Sequence, residues 1–464
     1  MTFIKSRSQE IEIPQENPFA NDKLGRSSVC NILTDIVSFY GQSGCVMALG
    51  GEWGSGKTTF VKMWRQHLKN EGYKTLYFNA WSSDYTEDPL MALVSELSEL
   101  SPNNETINKI ATSAVRIGLS ALKGIFKKTT GIDCDAINDA IDETFNIGKE
   151  YLEKYSEEKT KLEEFKNNIQ KYVADNAGEH PVVFFIDELD RCNPRYAVAV
   201  LERIKHLFEI PNIIFVLAIN KKELSHAIQG YYGSSKIDSD EYLLRFIDIN
   251  YILPQPNIDK YCDFLFDEYG FNDFFNNTSR IRGNSDDTTF KQIALDLCKG
   301  LNVNLRQMDR IFAYSRLILT QFNYNDNIQA DIYFLLCFWK VMDVEFYNQL
   351  ANKEFTVQVL LTVLEEKLPK SMLAYENSHW NYVYTIACLL YCYDISTNGY
   401  RAQKPTVTIT QNRENNEIEC PITSKYLDKD EFNIAMDYYY NRNRYGHTTL
   451  WYIYSRIDLL HRFN

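Results

Sequence analysis

No stretch of this chain reaches the roughly 18 uncharged apolar residues that a membrane-crossing helix needs. The nearest, residues 110–126, is interrupted by Arg116 and Lys123. The opening residues, Met1-Thr2-Phe3-Ile4-Lys5-Ser6-Arg7, lack the apolar core of a secretory leader. None of the ten cysteines forms a CxxC pair or has a His at metal-ligand spacing. That pattern excludes the common zinc modules and argues for reduced core thiols in a cytoplasmic protein. Cys134, Cys192, Cys262, Cys298 and Cys337 sit among helix-like residues. Basic charge is in deficit, with 49 Lys and Arg against 62 Asp and Glu, for a net charge of −13. A general nucleic-acid coat is disfavoured, although a local basic patch remains compatible with that balance. There is no internal repeat and no recognisable helicase motif.

What the chain does have is 464 residues with an ordinary apolar fraction of 45% and abundant Tyr and Phe. At about 100–200 residues per domain this is enough for two or three domains. Its most informative segment is Gly51-Glu52-Trp53-Gly54-Ser55-Gly56-Lys57-Thr58, which fits G-x-x-x-x-G-K-[ST] without a gap. An apolar run, Cys45-Val46-Met47-Ala48-Leu49, precedes it as a buried strand, and Thr59-Phe60-Val61-Lys62-Met63-Trp64 follows as the first turns of a helix. Glycines let backbone N–H groups curl round a phosphate chain, and the helix N-terminus adds partial positive charge. Lys57 is then the cation for the β/γ-phosphates and Thr58 a Mg²⁺ ligand. The candidate nucleotide contacts are Gly51, Trp53, Gly54, Ser55, Gly56, Lys57, Thr58 and Thr59.

A second motif is Val182-Val183-Phe184-Phe185-Ile186-Asp187-Glu188. Five apolar residues make a buried strand. Two carboxylates stand at its C-terminal end, where open α/β sheets bind ligands. Asp187 is read as the Mg²⁺ carboxylate and Glu188 as the base that orients and polarises an attacking water. Hydrolysis needs both, since charge must be neutralised and one nucleophile placed.

Along the chain, residues 1–26 read as a polar lead-in with one strand near residues 11–13. Residues 27–40 read as a helix with Val29, Ile32, Leu33, Ile36, Val37 and Tyr40 on one face. Residues 74–81 read as a second strand, and Pro89 opens a helix closed by Pro102. Residues 103–178 read as a helical insertion with a solvated charged face. A helix over 196–209 and a third buried strand, residues 213–219, complete a core over residues 27–255. Strands alternating with helices imply a parallel α/β sheet. Beyond it, residues 256–326 read as a helical lid, with 272–289 as a mobile polar loop. Residues 327–464 read as a mainly helical C-terminal domain, with a small hairpin at 405–420 and a final amphipathic helix over 450–463.

Five segments in order carry a family resemblance: the Gly51–Thr58 loop; Phe78-Asn79-Ala80-Trp81; Ile186-Asp187-Glu188-Leu189-Asp190-Arg191-Cys192; Phe215-Val216-Leu217-Ala218-Ile219-Asn220; and Tyr242-Leu243-Leu244-Arg245-Phe246-Ile247. Together they resemble the KAP family of P-loop NTPases, in the additional-strand class, over roughly residues 25–320. The resemblance implies ATP binding with Mg²⁺ and slow hydrolysis coupled to a switch or an assembly. It further implies a homo-oligomer or a separate effector protein, and a soluble bacterial subtype of the kind found in anti-phage or phage-exclusion loci. Where the family usually has Asp after its third strand this chain has Asn220, whose amide can orient water or sense the γ-phosphate.

Four arginines are candidates for a finger against the γ-phosphate. Arg191 has two readings, pairing with Asp190 or catalysis. Arg245 lies in the last segment. Arg306 and Arg310 are one turn apart on a helix that resembles a nucleotide-sensing lid, or form a solvated face with Asp309. Trp53 either covers phosphates or packs, and Trp64 and Trp81 read as core. The functional classes that follow are an ATP-hydrolysing switch, with Glu188, Lys57, Asn220 and Arg306 as its catalytic set, a nucleotide-gated scaffold with little turnover, and a nucleotide or nucleoside kinase.

Overall fold

A computed structural model describes residues 11–86, 88–101, 105–114, 160, 162–208, 210–234, 236–278, 280, 286–374, 382–396, 404–411, 418–442 and 450–459. The chain divides into two compact units, one ending at Gln255 and one running from Pro256. The first is built on five parallel strands: β1 (Cys45–Gly50), β2 (Thr75–Asn79), β3 (Val182–Asp187), β4 (Ile213–Ile219) and β5 (Ile249–Ile252). Their order across the sheet is β2-β3-β4-β1-β5. The extra strand β4 therefore lies between the strand that ends in the glycine loop and the strand that ends in Asp187. Its register is Gly50 opposite Ile219 and Asp187 opposite Ala218. Strands β1, β3 and β4 are buried along their whole length, which is why they read as unbroken apolar runs.

Successive side chains on these strands point to opposite faces, and each face has its own helices. Met47, Leu49, Val183, Phe185, Ile214 and Val216 form one cluster with α1 (Ser27–Tyr40) and α2 (Lys57–Asn70). Val46, Ala48, Phe184, Ile186, Phe215 and Leu217 form the other with α3 (Leu90–Ser98) and α4 (Pro194–Phe208). The helical stretches 105–114 and 162–177 join that second cluster through Ile110, Phe165, Ile169 and Tyr172. Residues 115–159, including Cys134 and most of the expected insertion, lie outside the described residues. Trp64 on α2 is fully buried, 5.2 Å edge-on to Phe185, with its indole N–H donating to Thr34 Oγ1 at 3.0 Å. Trp64→Ala leaves an indole-sized void and removes the donor to the Thr34 hydroxyl, which keeps its own bond to the Cys30 carbonyl at 2.9 Å. Its expected cost is about 3–5 kcal/mol, read as a lower urea midpoint for the unit that contains the sheet.

The remaining elements of this unit are α5 (Lys221–Tyr232) and the short α6 (Ser239–Leu243). Several expectations are corrected here. Residues 11–14 join no sheet. Strand β2 stops at Asn79, and Trp81–Ser83 is a 3₁₀ turn that leaves Trp81 52% exposed. Ile32 is also exposed, and Cys30 takes the buried position on that helix instead. Strand β5 has no counterpart among the expected elements. It has only four residues, and as an edge strand it alternates half-buried and exposed positions.

The second unit is mainly helical, with α7 (Ile258–Glu268), α8 (Phe271–Phe275), α9 (Asp286–Gly300), α10 (Leu305–Leu319) and α11 (Ala330–Met342) leading further helices to Leu450–Leu459. The expected polar loop at 272–289 contains α8 and the first turn of α9. Phe271, Phe274 and Phe275 are buried, and that aromatic anchor outweighs the local Asn, Asp and Ser content. The hairpin is present as Thr410–Gln411 paired antiparallel with Ile418–Glu419. Residues 460–464, the end of the expected last helix, lie outside the described residues. Among the described residues no helix is long and apolar enough to cross a membrane. The nine described cysteines are all free, and eight are buried.

Candidate nucleotide site

The loop after β1 and the acidic end of β3 meet at the C-terminal edge of the sheet. Chain direction also reverses there: from β1 the chain goes to β2 on one side, and from β4 it crosses to β5 on the other. Ligands bind in that crevice in open parallel sheets. Gly51 leaves β1 with its N–H on the Ile219 carbonyl at 3.2 Å. A Cβ on Gly51 would sit 2.9 Å from Ser55 Oγ and 3.3 Å from the Lys57 stem, so a side chain there would have to displace the Ser55 hydroxyl and press on the lysine. Gly56, at φ 83°, is the left-handed residue that turns the chain into α2. Thr58 and Thr59 fall in the first turn of that helix, with their backbone N–H groups at its positive end. Trp53 and Gly54 form the loop's outer part. The Trp53 ring is 42% exposed and its indole N–H donates to Asp190 Oδ2. The ring is therefore not a core residue.

Lys57 is buried, and its ammonium donates to the carbonyls of Gly51 and of Glu52, the latter at 3.0 Å. Burial lowers its pKa; Asp190 and Asp187 oppose that, while Arg191 and Arg26 add to it. An ammonium destabilised in this way is matched to an anion that completes its shell. Asp187 is 1% exposed. Its carboxylate accepts from the Thr58 hydroxyl, from Tyr77 Oη at 3.0 Å and from the Glu188 amide at 2.8 Å. Burial is the largest influence and raises its pKa despite those three bonds. A carboxyl raised on folding is most favourable to the fold at acid pH, and the benefit is lost as pH rises through the folded value. At neutral pH the ionised group is a cost that a cation would offset.

The donors present fit Mg²⁺. Among the described residues no group of three or more His, Cys, Asp or Glu is placed to hold a metal ion by itself. A hydroxyl and one carboxylate, already bonded to each other, are what a magnesium site uses when phosphate oxygens and waters supply the rest. Thr58 and Asp187 would hold the ion, which would neutralise charge on the phosphates.

Glu188 has φ 60° and ψ 24°, a left-handed backbone unusual for a side chain of its size and a form of strain that collects at functional sites. Both of its oxygens are engaged. Arg191 Nη1 lies 2.8 Å from Oε1, and Asn79 Nδ2 lies 3.3 Å from Oε2. Arg191 thus pairs with Glu188 rather than with Asp190, whose Oδ2 accepts from Trp53. The guanidinium also lies 5.6 Å from the centre of the exposed Trp81 ring. Asn220 follows β4 at the same edge, and its side-chain oxygen caps α5 through the Lys222 amide at 3.2 Å. Arg245 is exposed in the same unit, whereas Arg306 and Arg310 are exposed on the first turns of α10 in the second unit. Cys192 is buried, its thiol pushed up to about 12 by desolvation, so it is no nucleophile. The residue patterns give no role to Asn79, Tyr77 or Arg26. Asn79 lies in a segment distinctive enough to carry the family resemblance. Tyr77 and Arg26 carry no local signal at all.

The KAP family P-loop domain matches residues 26–318. The chain belongs to the KAP family. The match covers the five-stranded unit and continues through α10, so the KAP domain of this chain ends within its helical part. No curated protein matches. Solved structures similar to this KAP chain include the Aeropyrum pernix ORC2 protein in its ADP form, at 10% identity over 95% of this chain and 97% of that one, with a TM-score of 0.35. The same protein in ADPNP–ADP complexes is 12% identical over 74% of each chain, with a TM-score of 0.34. A point variant of Thermotoga maritima RuvB is 14% identical over 76% of this chain and 80% of that one, with a TM-score of 0.31.

Proposed function

We propose that this KAP chain binds ATP with Mg²⁺ in the Gly51–Thr59 loop and hydrolyses it, and that the cycle drives an oligomeric switch or assembly subunit in a bacterial anti-phage system. The observation that carries the enzymatic part is the hydrogen bond between Thr58 and Asp187, with Glu188 next in the chain. It brings a phosphate loop and a hydrolytic acid pair into one site. Lys57 binds the β/γ-phosphates, Glu188 takes the proton of the attacking water, and Asn220 orients that water. The anti-phage setting rests on the family resemblance.

A second reading, the nucleotide-gated scaffold, is favoured by the engagement of both Glu188 oxygens with Arg191 and Asn79. A carboxylate held in that way has to be released before it can act as a base. Single-turnover hydrolysis separates the two: phosphate release within one bound equivalent supports the enzyme, and ATP retained intact supports the scaffold. Phosphate released without any added acceptor also removes the kinase reading.

The assembly part leads to a separate expectation for Arg306, an exposed guanidinium on a helix held by a full capping box of Asn304 and Gln307. If a neighbouring subunit's Arg306 completes the site, Arg306→Ala lowers turnover at least about tenfold while ATP affinity changes little, as for a cation acting on transition-state charge. Light scattering with and without ATP analogue is the companion measurement. A monomer under both conditions, with neighbouring gene products present, removes the assembly model.

A further inference from the structure

Arg26 immediately precedes α1, and its exposure is only 3%. Its guanidinium reaches two carbonyls far apart in sequence. Nη1 donates to Ser55 O in the phosphate loop at 2.7 Å, and Nη2 donates to Pro254 O just after β5 at 2.8 Å. Burial lowers its pKa and the charge of Asp22 opposes that, but among the described residues no carboxylate oxygen forms an ion pair with the guanidinium. Asp22, the nearest acid in the chain, spends its oxygens on backbone amides, accepting from Leu24 at 3.0 Å, from Arg26 and from Ser27 at 3.0 Å. Arg26 Nε and Ser55 Oγ are both buried without a hydrogen-bond partner. A buried guanidinium bonded only to neutral carbonyls is costly to the fold. Its retention calls for a use, and its first contact is the loop that would hold the phosphates. It is also close enough to Lys57 for the two charges to repel.

We propose that Arg26 is a positioning residue for the phosphate loop: its planar fork ties the Ser55 carbonyl to the exit of β5 and fixes a second positive charge beside Lys57. A guanidinium suits this task because its N–H groups diverge in one plane and can meet two acceptors at once, whereas an ammonium is a point donor. Holding the Ser55 carbonyl turns it away from the anion, so that the loop's N–H groups are the ones presented. Removing the tie leaves the loop to sample carbonyl-inward conformations that repel phosphate. The fixed positive charge would act on the same polyanion. The inference rests on the nucleotide reading of the loop, but its structural half can be tested without nucleotide.

The test uses the full chain with Arg26→Met and Arg26→Lys. Hydrogen exchange of the nucleotide-free proteins is followed by mass spectrometry over peptides spanning residues 51–60 and, as internal reference, over β4. Arg26→Met is expected to speed exchange in the loop peptide at least about tenfold, the scale of one lost charge-assisted hydrogen bond, with β4 unchanged. Affinity for ATP, measured by calorimetry, should fall at least about tenfold in Arg26→Met and less in Arg26→Lys, which keeps the charge and loses the fork. Thermal unfolding of the nucleotide-free Arg26→Met protein should be unchanged or raised, since a costly buried charge has gone. A purely structural arginine gives the opposite pattern: a lower midpoint, with wild-type ATP affinity in whatever remains folded. Unchanged loop exchange in both variants overturns the proposal. A wild type that binds no ATP, combined with faster loop exchange in Arg26→Met, keeps the tie and rejects the nucleotide reading. If Arg26→Met does not fold, equal loop exchange in Arg26→Lys and wild type overturns the proposal.

Discussion

Glu188→Gln is expected to slow ATP hydrolysis by at least about 100-fold while ATP·Mg²⁺ remains bound, the scale at which a positioned general base contributes. The substitution preserves size and keeps an oxygen for Asn79, so the turn after β3 has no steric reason to move. It removes the negative charge that accepts a proton from water. It also ends the ion pair with Arg191, now 2.8 Å away, and frees that guanidinium. Two opposed effects are therefore built into one variant. Loss of the base lowers turnover, and loss of the latch opens the site. The first dominates, because an amide cannot take up the proton however well it is placed. Single-turnover phosphate release, together with retention of labelled ATP on the protein, checks both halves. Turnover at the wild-type rate would place the base elsewhere.

Lys57→Ala should abolish nearly all ATP binding. The lysine is the loop's own ammonium, and it is buried within reach of the charges of Asp190 and Asp187, which would face the same phosphates. Without it, the polyanion would meet two carboxylates with Mg²⁺ alone to offset their repulsion. In the wild type, ATP at about 100 times its dissociation constant adds about 2.7 kcal/mol to stability by mass action, and the melting temperature rises accordingly. Lys57→Ala should show no such rise, and should lose any protection that the intact locus gives cells against phage. An equal thermal shift in both proteins would reject the loop as the site. Protection that survives would reject ATP-driven defence as the role.

The two variants probe different parts of the site, and the geometry explains why they should separate. In the proposed cycle Lys57 acts on the ground-state nucleotide through charge, and Glu188 acts on a water that becomes reactive only when it is aligned with the γ-phosphate. Its left-handed backbone and its engagement by Arg191 and Asn79 make its release a step in its own right. The proposed cycle therefore predicts tight binding with slow turnover, kinetics that would suit a switch better than a metabolic enzyme.

The sequence by itself determined the parallel α/β class, the strand–loop–helix around Lys57 and the acidic pair closing β3. Those features are local: a glycine spacing, an apolar run, a carboxylate at its end. It also sufficed for the helix at 27–40 and the strand at 213–219, because their periodicity or length is written in consecutive residues. Only the tertiary structure decided the rest. Strands buried on both faces show no alternation of polarity, so nothing in Val183-Phe184-Phe185-Ile186 announces which side chain meets α2 and which meets α4. The placement of β4 between β1 and β3 depends on pairing between distant segments. The short edge strand β5 is stabilised by β1 rather than by its own four residues. Trp81 reads as core and is exposed, while Trp64 reads the same and is buried, because burial depends on which neighbours arrive. The partners of Arg191 and Arg26 were likewise invisible. An arginine's reach exceeds its local context, and whether it meets Glu188, Asp190 or a carbonyl 228 residues away is settled only when the chain has folded.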